Sequence, residues 1–172
     1  DALGYAGNRE EALELLADYD DMGDQHNAVL HVRADVLGYA GKGADGLKVI
    51  DALIEEKPGD TSLLNTSCWY RARFRVGVED MMQVCNQAVE RASNAPAVLD
   101  SRAVASIASG NLNAALADAE AALKIAPEQV PTQYVRAWIA NALGKPEAKA
   151  DLAYFHKAMP GLVQEYARYG LK

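Results

Sequence analysis

The densest cluster of potential ligands is acidic. Asp18, Asp20, Asp21 and Asp24 crowd one short stretch beside Gly23. A calcium loop alternates oxygen ligands and closes on a bidentate glutamate. Met22 and Val29 stand at two of the places such a loop needs, so the stretch reads as an acidic helix end. His26 and His31 are five residues apart and would point to different sides of a helix. Neither has a cysteine or carboxylate partner at metal spacing, and His156 stands alone. Gly41-Lys42-Gly43 and Gly144-Lys145 read as turns between helices, not as phosphate cradles that follow strands. No nucleophile, base and orienting group recur at a recognisable spacing. The chain is therefore not expected to be an enzyme, and no metal or other cofactor is expected.

Two further groups carry chemistry. Cys68 and Cys85 would fall on two antiparallel helices, close enough for a disulfide. Cysteine also fills small core positions well, and two buried free thiols are the expectation. Arg71, Arg73 and Arg75 are packed into five residues. Helical spacing spreads them over different faces, and they read mostly as a solvated face.

The elements that position these residues are helices. Half of the 172 residues are hydrophobic and few are aromatic, a mixture that favours packed helices over a β-sandwich. The formal charge is −7, from 24 acidic and 17 basic residues, and no basic stripe with interleaved aromatics offsets it. Such a chain repels phosphate backbones, so nucleic acid is not an expected partner. No apolar run reaches the roughly 20 residues that span a bilayer, so membrane insertion is not expected. No signal peptide is visible. The chain opens at Asp1 inside an apparent helix, as a mature form or a piece of a longer protein would.

The helices come in pairs. Second helices stop near Asp24, Pro58, Ser93, Pro127 and Pro160, at spacings of 34, 35, 34 and 33 residues. The clearest pair, Leu99 to Pro127, turns at Gly110-Asn111 and carries small residues, Ala103, Ala115 and Ala122, where its helices would touch. A hairpin of this kind buries one side only and needs neighbours like itself. The units are placed at 1–24 (partial), 25–58, 59–93, 94–127 and 128–160, with a capping helix at 161–170 and the whole of 1–172 as one domain. Thr61 or Ser62 is expected to cap the helix that runs from about Leu63 to Arg75.

With its phased prolines, the turn glycine Gly110 and the recurring pairs Arg33-Ala34, Arg102-Ala103 and Arg136-Ala137, the chain resembles tetratricopeptide repeat proteins. It departs from them where Leu30, Leu99 and Gln133 replace an early tryptophan, and where Met81 replaces a small residue. The resemblance implies an all-α fold, a right-handed superhelical solenoid of helix-turn-helix repeats closed by a C-terminal capping helix. It also implies a protein–protein interaction scaffold that holds a partner peptide or helix in a concave groove. Carried over by position, the groove residues are His31, Asp35, Tyr70, Arg73, Asp100, Tyr134, Trp138 and Asn141. Tyr134 and Trp138 could equally pack on the terminal helix. The clamp with which relatives grip a terminal carboxylate is missing, because His31, Asp35, Val104 and Ser101 stand in its place.

A narrower set, LLNTSCWYRARFR, VCNQAVE, LDSRA and EYARYGL, is similar to the C-terminal arrays of certain bacterial envelope-associated proteins. There the array follows a transglutaminase-like or protease-like domain. That likeness implies an alternative role: a structural appendage that self-associates or packs on an upstream catalytic domain. Bacterial cytoplasm and periplasm or cell envelope both stay open as locations.

Overall fold

A computed structural model describes residues 9–17 and 26–171. The acidic stretch from Asp18 to Asp24, the Gly7-Asn8 turn and the side chain of His26 lie outside the described residues. Ten helices are described: α1 Arg9–Ala17, α2 His26–Tyr39, α3 Gly43–Glu56, α4 Thr61–Phe74, α5 Val78–Arg91, α6 Pro96–Ala108, α7 Leu112–Ile125, α8 Val130–Ala142, α9 Ala148–Ala158 and α10 Pro160–Arg168. No strand occurs among the described residues, and no described helix is long and apolar enough to cross a membrane.

Local chemistry sets the ends. Asp60, rather than Thr61 or Ser62, caps α4, its carboxylate accepting from the Ser62 N–H at 2.9 Å. Asn111 caps α7 by accepting from the Ala114 N–H at 3.2 Å. Pro58 and Pro127 follow α3 and α7 at two residues' distance, where proline cannot continue a helix. At the third stop no proline is present, and Ser93 and Asn94 both take left-handed backbone (φ 51° and 59°) to turn the chain. Pro160 does two jobs: it ends the α9 run and opens α10 at its first position.

Four hairpins, α2–α3, α4–α5, α6–α7 and α8–α9, stack in order. First helices pack directly on first helices (α2 on α4, α4 on α6, α6 on α8), while each second helix packs on the first helix of the next unit. The first helices therefore form the inner row of the solenoid. Ala103, Ala115 and Ala122 are completely buried where α6 and α7 meet and where α7 meets its neighbours. Tyr70 anchors the second unit to the third: its hydroxyl donates to the Ala34 carbonyl at 2.8 Å. Gly46 makes room for it, since a Cβ there would sit 2.6 Å from that same carbonyl oxygen and run into the Tyr70 ring.

A brace ties the two helices of a unit together. Arg102 on α6 grips Asp118 on α7 through two bonds of 2.7 and 2.8 Å, and Arg136 on α8 reaches Asp151 on α9 at 3.0 Å. Counted back from the helix stops, Cys68 holds the place of Arg33 and Arg102, 25 residues before Ser93, Pro58 and Pro127. There the brace is covalent. Cys68 and Cys85 form a disulfide between α4 and α5, with Cα atoms 4.8 Å apart. The expectation of two free thiols is thus corrected: both side chains are fully buried and face each other across the hairpin. The arginine run is also corrected. Arg71 is buried and donates to the Gly77 carbonyl at 2.8 Å, Arg73 pairs with Asp35, and Arg75 donates to the Ala108 carbonyl at 3.2 Å. Arg71 also lies 3.6 Å from Asp51 of the preceding unit, so each of the three reaches a neighbouring unit, but only Arg71 and Arg73 are withdrawn from solvent, while Arg75 is exposed as expected.

The last helix does not simply continue the stack. After Pro160-Gly161, α10 lies across the inner row. Tyr166 meets Tyr134 of α8 (5.5 Å between ring centroids) and Trp69 of α4 (6.1 Å). Tyr169 meets Trp69 at 5.6 Å and the Arg73 guanidinium at 5.0 Å. Leu171 is fully buried in the same core as Cys68, Val104 and Tyr134. Gly170 passes so close to α4's end that a Cβ would stand 2.8 Å from an Arg75 Nη.

Candidate functional site

The inner row places the eight groove candidates as follows: His31 and Asp35 on α2, Tyr70 and Arg73 on α4, Asp100 on α6, and Tyr134, Trp138 and Asn141 on α8. Three of them meet in one open cleft. His31, Asp35 and Arg73 line a hollow of about 260 Å³ between α2 and α4, together with Val32, Ile50, Asn65, Thr66 and Trp69. Its floor is charged and aromatic. Arg73 Nη1 donates to both Asp35 oxygens, at 3.1 and 3.2 Å, and Nη2 donates to the Tyr39 hydroxyl. The guanidinium also lies 4.7 Å from the Tyr39 ring centre and 4.9 Å from that of Phe74. Only 9% of the Arg73 side chain is exposed. Asp35 raises its affinity for the proton against the cost of burial, so Arg73 stays charged.

The cleft also holds an unmet polar group. The Asn65 side-chain oxygen is buried without a hydrogen-bond partner. A buried acceptor left unpaired costs about 1–3 kcal/mol.

Three other candidates are interior. Tyr70 is 2% exposed and Tyr134 1%, so neither ring presents a surface to a partner in this arrangement. Tyr70 packs on Phe74, and Tyr134 packs between Phe155 and Tyr166. Asp100 is 7% exposed, with one carboxylate oxygen buried and unpartnered, as is the neighbouring Thr132 hydroxyl. Burial pushes the Asp100 carboxyl up to about 6, with Thr132 pulling the other way. Trp138 packs half-buried on the main core, and Asn141 is exposed near the end of α8. Neither lines the α2–α4 cleft.

Asn65, Thr66 and Trp69 are cleft residues that the sequence reading passed over. A signal existed. Asn65, Trp69 and Arg73 recur every four residues, and so do His31 and Asp35, which puts each set on one helix face. Tyr70, the expected groove residue on α4, is one position past Trp69, and one step along a helix turns a side chain by about 100°.

No family model matches the chain, and no curated protein matches its sequence. Solved structures do match in fold. The MamA 41-end structure from Desulfovibrio magneticus RS-1 aligns with a TM-score of 0.62 at 14% identity, over 96% of this chain and 90% of that one. A double mutant of RS-1 MamA aligns with a TM-score of 0.60 at 14% identity, over 96% of this chain and 89% of that one. MamA is a tetratricopeptide-type helical repeat protein. Identity this low speaks for the fold alone, and the comparisons give no support to the narrower likeness to envelope-associated arrays. The chain thus has the tetratricopeptide-type helical repeat fold.

Proposed function

We propose that this chain is a protein–protein interaction scaffold, without catalytic activity of its own, that takes a partner peptide or helix on its inner face. The observation that carries this reading is the α2–α4 cleft, where His31, Asp35, Asn65, Thr66, Trp69 and Arg73 converge. Trp69 offers apolar area, and Asp35, whose side chain is about a third exposed, offers a negative charge held in place by Arg73. A few such anchors carry most of the affinity of a peptide interface. Tyr70, Asp100 and Tyr134 hold the face from within, while Trp138 and Asn141 extend it along α8.

The test is capture of partners on the immobilised chain, beside a Thr66→Arg variant. That arginine fills the cleft from a position outside the core. A discrete protein held by the parent and lost by the variant, with an unchanged circular dichroism spectrum, supports the reading. The same proteins on both forms would sink it.

A second reading, an appendage that self-associates or packs on an upstream domain, draws on the outer surface. Tyr154 is 58% exposed and overhangs an outer hollow of about 330 Å³ lined by Leu123, Pro127 and Phe155. If the chain is a monomer at every concentration and Tyr154→Glu changes no association, that reading fails.

A further inference from the structure

We propose that the C-terminal segment Pro160–Leu171 is a releasable, built-in occupant of the inner face, and that the surface beneath it accepts a helical segment of the same chemistry from a partner. That chemistry is two aromatic residues three apart with an aliphatic residue two further on, as in Tyr166, Tyr169 and Leu171. The inference rests on the inner face being the interaction surface, and it adds what fits there and what stands in the way.

The geometry is that of a bound ligand. Tyr166 and Tyr169 meet side chains of α4 and α8, and both rings converge on Trp69. Tyr169 caps the Arg73 guanidinium, which Tyr39 and Phe74 already flank. Trp69 and Arg73 therefore belong to two places at once, the open α2–α4 cleft and the seat of the strap. A partner that enters the cleft and extends along the inner row must meet Tyr169.

The attachment favours release. Met159-Pro160-Gly161 is a short joint, and Gly161 has open space around it. The strap's outer side is polar, with Gln164 and Arg168 exposed, so it loses no solvation there on leaving. Beneath it, Asp100 carries a buried, unpartnered carboxylate oxygen, and its charge acts on the Tyr166 hydroxyl. A tethered segment competes at an effective concentration in the millimolar range, so a free copy binds only when the tethered one is weakened.

The experiment uses the full chain and a labelled peptide of residues 159–172, MPGLVQEYARYGLK. Its binding is measured by fluorescence anisotropy to the parent and to a Tyr166→Ala/Tyr169→Ala chain. The expected result is binding to the variant about tenfold or more tighter than to the parent, lost when both peptide tyrosines are alanine. Equal binding to both, or none to a variant whose helicity is intact, overturns the proposal. If the variant does not fold, hydrogen exchange on the parent decides. Amides of 162–171 exchanging well ahead of those in α6 support release, and exchange at the same rate as α6 overturns it. A parent dimer that the peptide dissociates assigns the seat to a neighbouring copy's segment and overturns the built-in occupant. The peptide test uses no substitution in the cleft, so failure of partner capture at the cleft and failure of the strap are read from separate experiments.

Discussion

Tyr169 meets Trp69 edge to face, with ring centroids 5.6 Å apart and planes at 77°, although one lies just past the last helix and the other in the middle of α4. Such an aromatic pair contributes about 0.5–1.5 kcal/mol beyond its buried area. Trp69→Ala removes this partner and also that of Tyr166. The expected outcome is faster tryptic cleavage after Lys157, by about tenfold for a local loss of 1.4 kcal/mol, with α6–α7 still protected. Timed digestion with mass spectrometry reads it.

Asp100→Asn is expected to stabilise the chain at neutral pH. Burial raises the Asp100 carboxyl from 3.8 to about 6. A carboxyl held above its unfolded value stabilises the fold fully below that value and loses the contribution as pH rises through about 6. The parent should therefore weaken between pH 4 and pH 7 relative to the variant, by about 2–3 kcal/mol. Denaturant titrations of both chains across that range give the difference directly.

The two ion-pair braces should differ in strength. Asp118 is mostly buried, so Arg102→Ala strands its carboxylate and should cost about 2–3 kcal/mol. Arg136 and Asp151 are each nearly half exposed, and Arg136→Ala should cost less than about 1 kcal/mol. Thermal melts of the two variants rank them.

For the covalent brace, a thiol count on denatured, unreduced protein should read zero. Reduction should lower unfolding stability by about 3 kcal/mol, the value for a loop of this length. Equal stability with and without reductant would show that the bridge constrains nothing.

Gly46→Ala pushes a methyl against the Ala34 carbonyl and the Tyr70 ring at the α2–α3–α4 junction. Overpacking there should cost about 2–3 kcal/mol, against about 1 kcal/mol for Tyr70→Phe, which loses one hydrogen bond. Chemical denaturation of both variants checks the order.

Periodic features were legible in the sequence because stacking is local. Pro58, Pro127 and the alanines at 103, 115 and 122 report on a helix and its nearest neighbour, and a repeat spaces them evenly. The helix ends were legible only to a residue or two, as Asp60 shows by capping α4 in place of Thr61 or Ser62. What did not show was anything set by a non-repeating contact. Arg73 reads as a surface arginine until Asp35 is placed against it, and Tyr169 reads as one apolar residue of a capping helix, with nothing to say that its partner is Trp69 of α4. Cys68 stands where other units carry arginine, so the helix pattern alone could not say whether it faces Cys85 or the core.

A helical solenoid behaves as a spring, because each unit touches only the next and small rotations add along the stack. The last helix of this chain breaks that rule. By bearing on α4 and α8 together, it forms a chord across the arc. A chord of set length fixes the radius of the curve beneath it. While it is in place the array is a rigid arch, and only when it lifts can the units flex to wrap something of a different shape.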